Sequence, residues 1–142
     1  MTKGSRASKP ATRPLVLVVD DGRQHVTLLR LALMQRGFAV IVVLSEDGAR
    51  TMLREKSIDA MVVTLPLDAG SALVSSVGEA RPPVVLAVTS AEELSRAEVA
   101  GFDLAFARPI DFAELDAALR DRMARRTSGT RRRVKAKKPA TS

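Results

Sequence analysis

The sequence predicts an α/β fold in which a five-stranded parallel sheet is doubly wound, with helices on both faces. Two observations carry that expectation. Five short runs, LVLVV (15–19), AVIVVL (39–44), DAMVV (59–63), VVLAV (84–88) and LAFA (104–107), are almost continuously apolar, as strands covered on both faces should be. Each run is followed by a stretch of helical character, and a repeated strand–helix order implies parallel pairing with right-handed crossovers.

The elements follow in order. The first strand stops at Asp20 and Asp21, after which Val26, Leu29 and Leu33 recur at helical spacing until Gly37 ends the helix. Ser45 is the expected N-cap of a second helix running to about Lys56. A third helix is expected from about Ser71 to Glu79, weakened by Gly78 and several serines. Ser90 with Glu93 forms a candidate capping box for a short fourth helix. Asp111 with Glu114 does the same for a fifth, whose Phe112, Leu115 and Leu119 share a face.

Charge divides the 142 residues sharply. All 16 acids lie between Asp20 and Asp121, where only ten bases accompany them, so the segment Leu15–Asp121 carries a net charge of −6. Before it stand Lys3, Arg6, Lys9 and Arg13; after it stand nine bases, including Arg125, Arg126, Arg131, Arg132, Arg133, Lys135, Lys137 and Lys138, with no acid. The expected organisation is a basic disordered tail over 1–14, one domain over 15–125 and a second basic disordered tail over 126–142, because neither end carries enough apolar surface to offset chain entropy.

Composition also excludes chemistry. Without cysteine there are no disulfides, thiolate zinc sites or cysteine nucleophiles. A single histidine, His25, and four Phe with no Trp or Tyr leave little for histidine catalysis or base stacking. The apolar run at 15–19 is too short for a signal peptide or membrane span, so a cytoplasmic protein with no membrane partner is expected.

Ligands of parallel α/β sheets bind beyond the carboxyl ends of the strands. Those ends carry Asp20 and Asp21, Thr64, Thr89 with Ser90, and Arg108 followed by Pro109. Together with VLVVDD, EDGARTML and GFDLAFARPI, this arrangement resembles the receiver domain of bacterial response regulators over Leu15 to about Arg122. The resemblance implies a flavodoxin-like (βα)5 fold with strand order 2-1-3-4-5. It also implies a two-component phosphorelay switch in which an acidic pair helps hold Mg²⁺, an aspartate ending strand three accepts phosphate, a hydroxyl ending strand four contacts it, and a lysine before proline neutralises it. In such domains the peptide bond before that proline is often cis.

Position by position, Asp20 and Asp21 match the acidic pair and Thr89 the switch hydroxyl. The acceptor's place holds Thr64, the lysine's place Arg108, and the place of a switching aromatic Ala105. An acyl phosphate forms on a carboxylate that is already anionic, whereas a threonine hydroxyl needs a separate base. Asp68, expected in the loop after strand three, and Asp59, at the other end of that strand, do not replace it. Losing one carboxylate also weakens the Mg²⁺ site, leaving Asp20 and Asp21 as a vestigial metal pair and no cofactor as the expectation. Arg108 is expected to grip Asp20 or Asp21 in a two-hydrogen-bond ion pair.

The expected function is therefore that of an atypical, non-enzymatic receiver module lacking the phosphoacceptor aspartate. It would act by phosphorylation-independent protein-protein interaction, with a histidine kinase or another regulator as partner. Two alternatives are a nucleic-acid-associated protein binding through its basic tails, and a phosphorylated single-domain regulator with an unconventional acceptor.

Overall fold

The computed structural model describes residues 13–22, 26–98 and 100–132. His25, the first 12 residues, and Arg133, Lys135, Lys137 and Lys138 lie outside them. Strands β1 (Leu15–Val19), β2 (Ala39–Val43), β3 (Ala60–Val63), β4 (Val84–Thr89) and β5 (Leu104–Ala107) alternate with helices α1 (Val26–Gln35), α2 (Glu46–Glu55), α3 (Leu67–Val77), α4 (Leu94–Glu98) and α5 (Phe112–Arg132). The strands form one parallel sheet in the order β2-β1-β3-β4-β5, the order that the resemblance implies.

The two-residue period of the strands splits the core into two layers. Val16, Val18, Ala60, Val62, Leu86 and Val88 face Leu29 and Leu33 of α1 and Leu115 and Leu119 of α5. Leu17, Val19, Met61, Val63, Val85 and Ala87 face α2, α3 and α4 through Leu53, Leu73 and Ala97. Each fully buried aliphatic side chain contributes about 1.5–3 kcal/mol by leaving water.

Local signals explain most element ends. Gly37, at φ +97°, closes α1: its N–H donates to the Met34 carbonyl while Phe38 N–H donates to Leu33, a pairing that satisfies two of the helix's last carbonyls. Ser45 Oγ accepts from Gly48 N–H at 2.9 Å, and Asp111 Oδ1 accepts from the N–H groups of Ala113 and Glu114. Helices α1 and α5 are joined across their ends by Arg120, which lies 4.7 Å from the Phe38 ring centroid, donates to the Arg36 carbonyl and pairs with Asp116 at 2.7 Å.

Two expectations need correction. Helix α3 begins at Leu67, directly after Pro66, rather than near Ser71, so Asp68 sits in its first turn and not in a loop. Burial of Leu67 and Gly70 at the front of the helix, continued by Leu73 and Val74, outweighs the low helix propensity of Asp68 and Gly70. Helix α5 runs to Arg132, so residues 126–132, expected as disordered tail, have helical backbone. Arg122, Met123, Ala124 and Arg125 are good helix formers, and Asp121 pairs with Arg125 one turn later at 3.0 Å, whereas Thr127, Ser128, Gly129 and Thr130 have weak helix propensity and no local signal explains the last turns. Among the described residues no helix is long and apolar enough to cross a membrane.

Candidate functional site

Sheet register assembles the site. Val19 pairs with Val63, so the residues that follow, Asp20 and Thr64, leave adjacent strands side by side. Asp20 N–H donates to Val43 at 3.0 Å and Thr64 N–H to the Val19 carbonyl at 2.9 Å, continuing the ladder past the strand ends. Both side chains are buried, Asp20 at 0% and Thr64 at 3% exposure. The Thr64 hydroxyl lies 2.5 Å from Asp20 Oδ1 and 3.2 Å from the Val19 carbonyl oxygen. Its single hydrogen is best used on the shorter, charge-assisted contact. Asp20 Oδ2 accepts from Gly22 N–H at 2.8 Å, and Asp21 is half-buried beside it.

Arg108 approaches from the far side of Thr64. Its backbone N–H donates to Thr89, extending β5, and the peptide bond to Pro109 is cis. Its guanidinium does not make the expected pair with Asp20 or Asp21: among the described residues no carboxylate lies within ion-pair distance. Instead Nη2 donates to the carbonyls of Thr64 at 3.1 Å and Val88 at 3.4 Å. The cause is positional, since Leu104 and Phe106 belong to the α1–α5 layer and Arg108 continues their parity, which carries its stem over the ends of β3 and β4.

Thr89 has the opposite parity, with Val85 and Ala87, and belongs to the α4 side. Its hydroxyl donates to Glu93 Oε1 at 3.0 Å, so the structure does not bring it to Thr64 and Arg108 by a side-chain contact. Glu93 is the residue that sequence reasoning assigned only to helix capping. Half of that capping box forms, with Ser90 Oγ accepting from Glu93 N–H at 3.2 Å, while the carboxylate turns to Thr89 and to Arg96 at 3.5 Å. Arg96 also reaches Asp68 at the start of α3, at 3.1 Å. The Thr–x–x–x–Glu spacing from Thr89 to Glu93 is the signal that could have found this contact. Ala105 lies in β5 opposite Ala87, half-buried against the α2–α4 layer.

The donor set bears on Mg²⁺, an ion that prefers six oxygen ligands and usually retains several waters. Among the described residues no three acids or histidines converge, and Asp20 already uses one oxygen on Thr64 and the other on Gly22.

A doubly wound five-stranded parallel sheet in this strand order is the CheY-like form of the flavodoxin fold. Among solved structures with this fold is a CheY-like response regulator receiver domain from Methylobacillus flagellatus, at 23% identity and TM-score 0.67, covering 78% of this chain and 99% of that one. The receiver domain of a sensor histidine kinase from Pseudomonas aeruginosa, solved with a magnesium ion in its active-site cleft, matches at 18% identity and TM-score 0.66, over 80% and 99% of the two chains. Full-length FixJ from B. japonicum matches at 17% identity and TM-score 0.72, over 84% of this chain and 62% of FixJ. No protein-family model and no curated protein matches the sequence.

Proposed function

We propose that this protein is a receiver-type signalling module, not an enzyme, that recognises a partner protein without phosphoryl transfer to residue 64. The observation that carries the reading is the buried Thr64 hydroxyl bonded to Asp20, at the place where the resemblance puts an acceptor carboxylate. A hydroxyl there is a donor to its acidic neighbour. It lacks the negative charge that attacks phosphorus: a neutral hydroxyl must first give up its proton, whereas a carboxylate at neutral pH has already done so. The same exchange leaves two carboxylates for Mg²⁺, so metal binding is weak or absent in this reading.

Arg108 supports it by a different route. Its guanidinium is spent partly on two backbone carbonyls, which pins the ends of β3, β4 and β5 together. The Thr89 hydroxyl is engaged by Glu93, and Ala105 offers no ring to rotate. In this reading Arg108 and Thr89 are held by fixed contacts and the switching aromatic is missing, so the surface is read by a histidine kinase or another cytoplasmic regulator in one conformation. The test is incubation of the full chain with acetyl phosphate and Mg²⁺. Intact mass should stay unchanged, and proteins captured from lysate should be the same with and without the phosphodonor. A stable phosphate adduct overturns the reading.

A second reading is favoured by α5. The helix continues past Asp121, the last acid, through Arg122, Arg125, Arg126, Arg131 and Arg132, so these bases are carried on one continuous element that leads to the remaining bases. This arrangement suits binding of a nucleic acid backbone without sequence preference.

A further inference from the structure

Between the start of α1 and the start of α5 lies a cleft of about 480 Å³, within the roughly 300–1,000 Å³ of small-molecule sites. Val26, Leu28 and Leu29 form one wall, Ile110 and Phe112 the other, and Arg108 reaches its floor beside Thr64. Neither Asp20 nor Asp21 lines it.

The guanidinium makes the cleft selective. Nη2 uses its two hydrogens on the Thr64 and Val88 carbonyls, which leaves the N–H groups of Nε and Nη1 with no acceptor among the described residues. Arg108 is partly buried. A neutral apolar ligand would cover those donors and leave them unsatisfied, at a cost in affinity. A free polyvalent anion would leave water for walls that return no hydrogen bonds. A single carboxylate fits the guanidinium through paired N–H bonds, and an apolar body attached to it fits the walls.

We propose that this cleft binds a small amphipathic carboxylate, its head on Arg108 and its apolar body between Leu28, Leu29, Ile110 and Phe112. The assignment is independent of the signalling reading: a phosphate adduct would overturn that reading alone, and failure of the ligand test would leave the phosphodonor result standing.

The experiment is an NMR titration of the full chain with octanoate and, in parallel, with octanol. Octanoate should bind saturably, with amide shifts centred on Val26, Leu29, Ile110 and Phe112, and more tightly than octanol. Arg108→Gln should weaken octanoate by about tenfold or more while changing octanol little, as expected for loss of a charge-assisted pair. Leu28→Glu adds a like charge at the rim, where Leu28 is 62% exposed and outside the core, and should also weaken octanoate selectively. This second variant decides the matter if Arg108→Gln fails to fold. Equal affinity for octanoate and octanol, wild-type octanoate binding by the folded variants, or shifts centred elsewhere would overturn the assignment, as would no saturation at millimolar ligand.

Discussion

The Thr64 hydroxyl and the Asp20 carboxylate meet across 2.5 Å at the buried junction of β1 and β3, with Gly22 N–H on the carboxylate's other oxygen. The geometry needs a hydrogen-bond donor at position 64. An ionised carboxylate at the same register would face Asp20 as a like charge, and a divalent cation would be required to hold the two together.

Thr64→Val keeps the shape and removes the donor. The variant should lose about 1–3 kcal/mol, because a buried carboxylate loses a partner, and the urea midpoint should fall at unchanged slope. Thr64→Asp should also be less stable than wild type without divalent ions. Adding millimolar Mg²⁺ should then raise the midpoint of Thr64→Asp and leave that of the wild type in place.

Arg108 makes a different prediction from the one that an Arg–Asp ion pair would. Its partners are backbone carbonyls, which do not titrate. Arg108→Met should cost about 1 kcal/mol, the net worth of a hydrogen bond or two partly exposed to solvent. That loss should be the same at pH 5 and pH 8. A loss that shrinks as acids protonate would show that a carboxylate holds the guanidinium in solution.

Gly70 lets α3 pack tightly on the sheet. A methyl group there would stand 2.9 Å from Val63 Cγ1 and 3.3 Å from Phe102 Cζ, and Val63 is fixed in the central strand next to Thr64. Gly70→Ala should therefore destabilise by about 1–3 kcal/mol despite alanine's better helix propensity. Thermal denaturation of the two proteins side by side reads this directly, and a stabilised variant would mean that α3 sits farther from β3.

The basic ends should bind polyanions by charge alone. If at least six phosphates are contacted, affinity for duplex DNA should fall by about a thousandfold between 50 and 200 mM salt. Removing residues 127–142 deletes six of the nine C-terminal bases and should flatten the salt slope more than removing the four N-terminal ones. Fluorescence anisotropy over a salt series checks both, and absence of binding at 50 mM removes this second reading.

Much of the fold was legible because strand and helix periodicity are local. The run at 15–19 and the run at 104–107 are β1 and β5 to the residue, and Ser45 and Asp111 cap the helices they were expected to cap. The errors fell where local signals are weak. The expected α3 omitted Leu67–Gly70, where Leu67 and Gly70 are buried despite the low helix propensity of Asp68 and Gly70, and the helical backbone of α5 continues through Thr127–Thr130 against weak local propensity.

Sequence alone determined which residues stand at the carboxyl ends of the strands, since an apolar run that stops at Val19, Val63 or Ala107 puts the next side chain there regardless of its neighbours. Tertiary structure decided what those side chains touch. Register set Thr64 beside Asp20, while strand parity sent Arg108 over the β3 and β4 carbonyls and Thr89 to Glu93. Parity depends on strand ends that sequence places only to within a residue or two. A hydrogen bond forms over about 3 Å, so its partner is settled by the position of a second strand dozens of residues away.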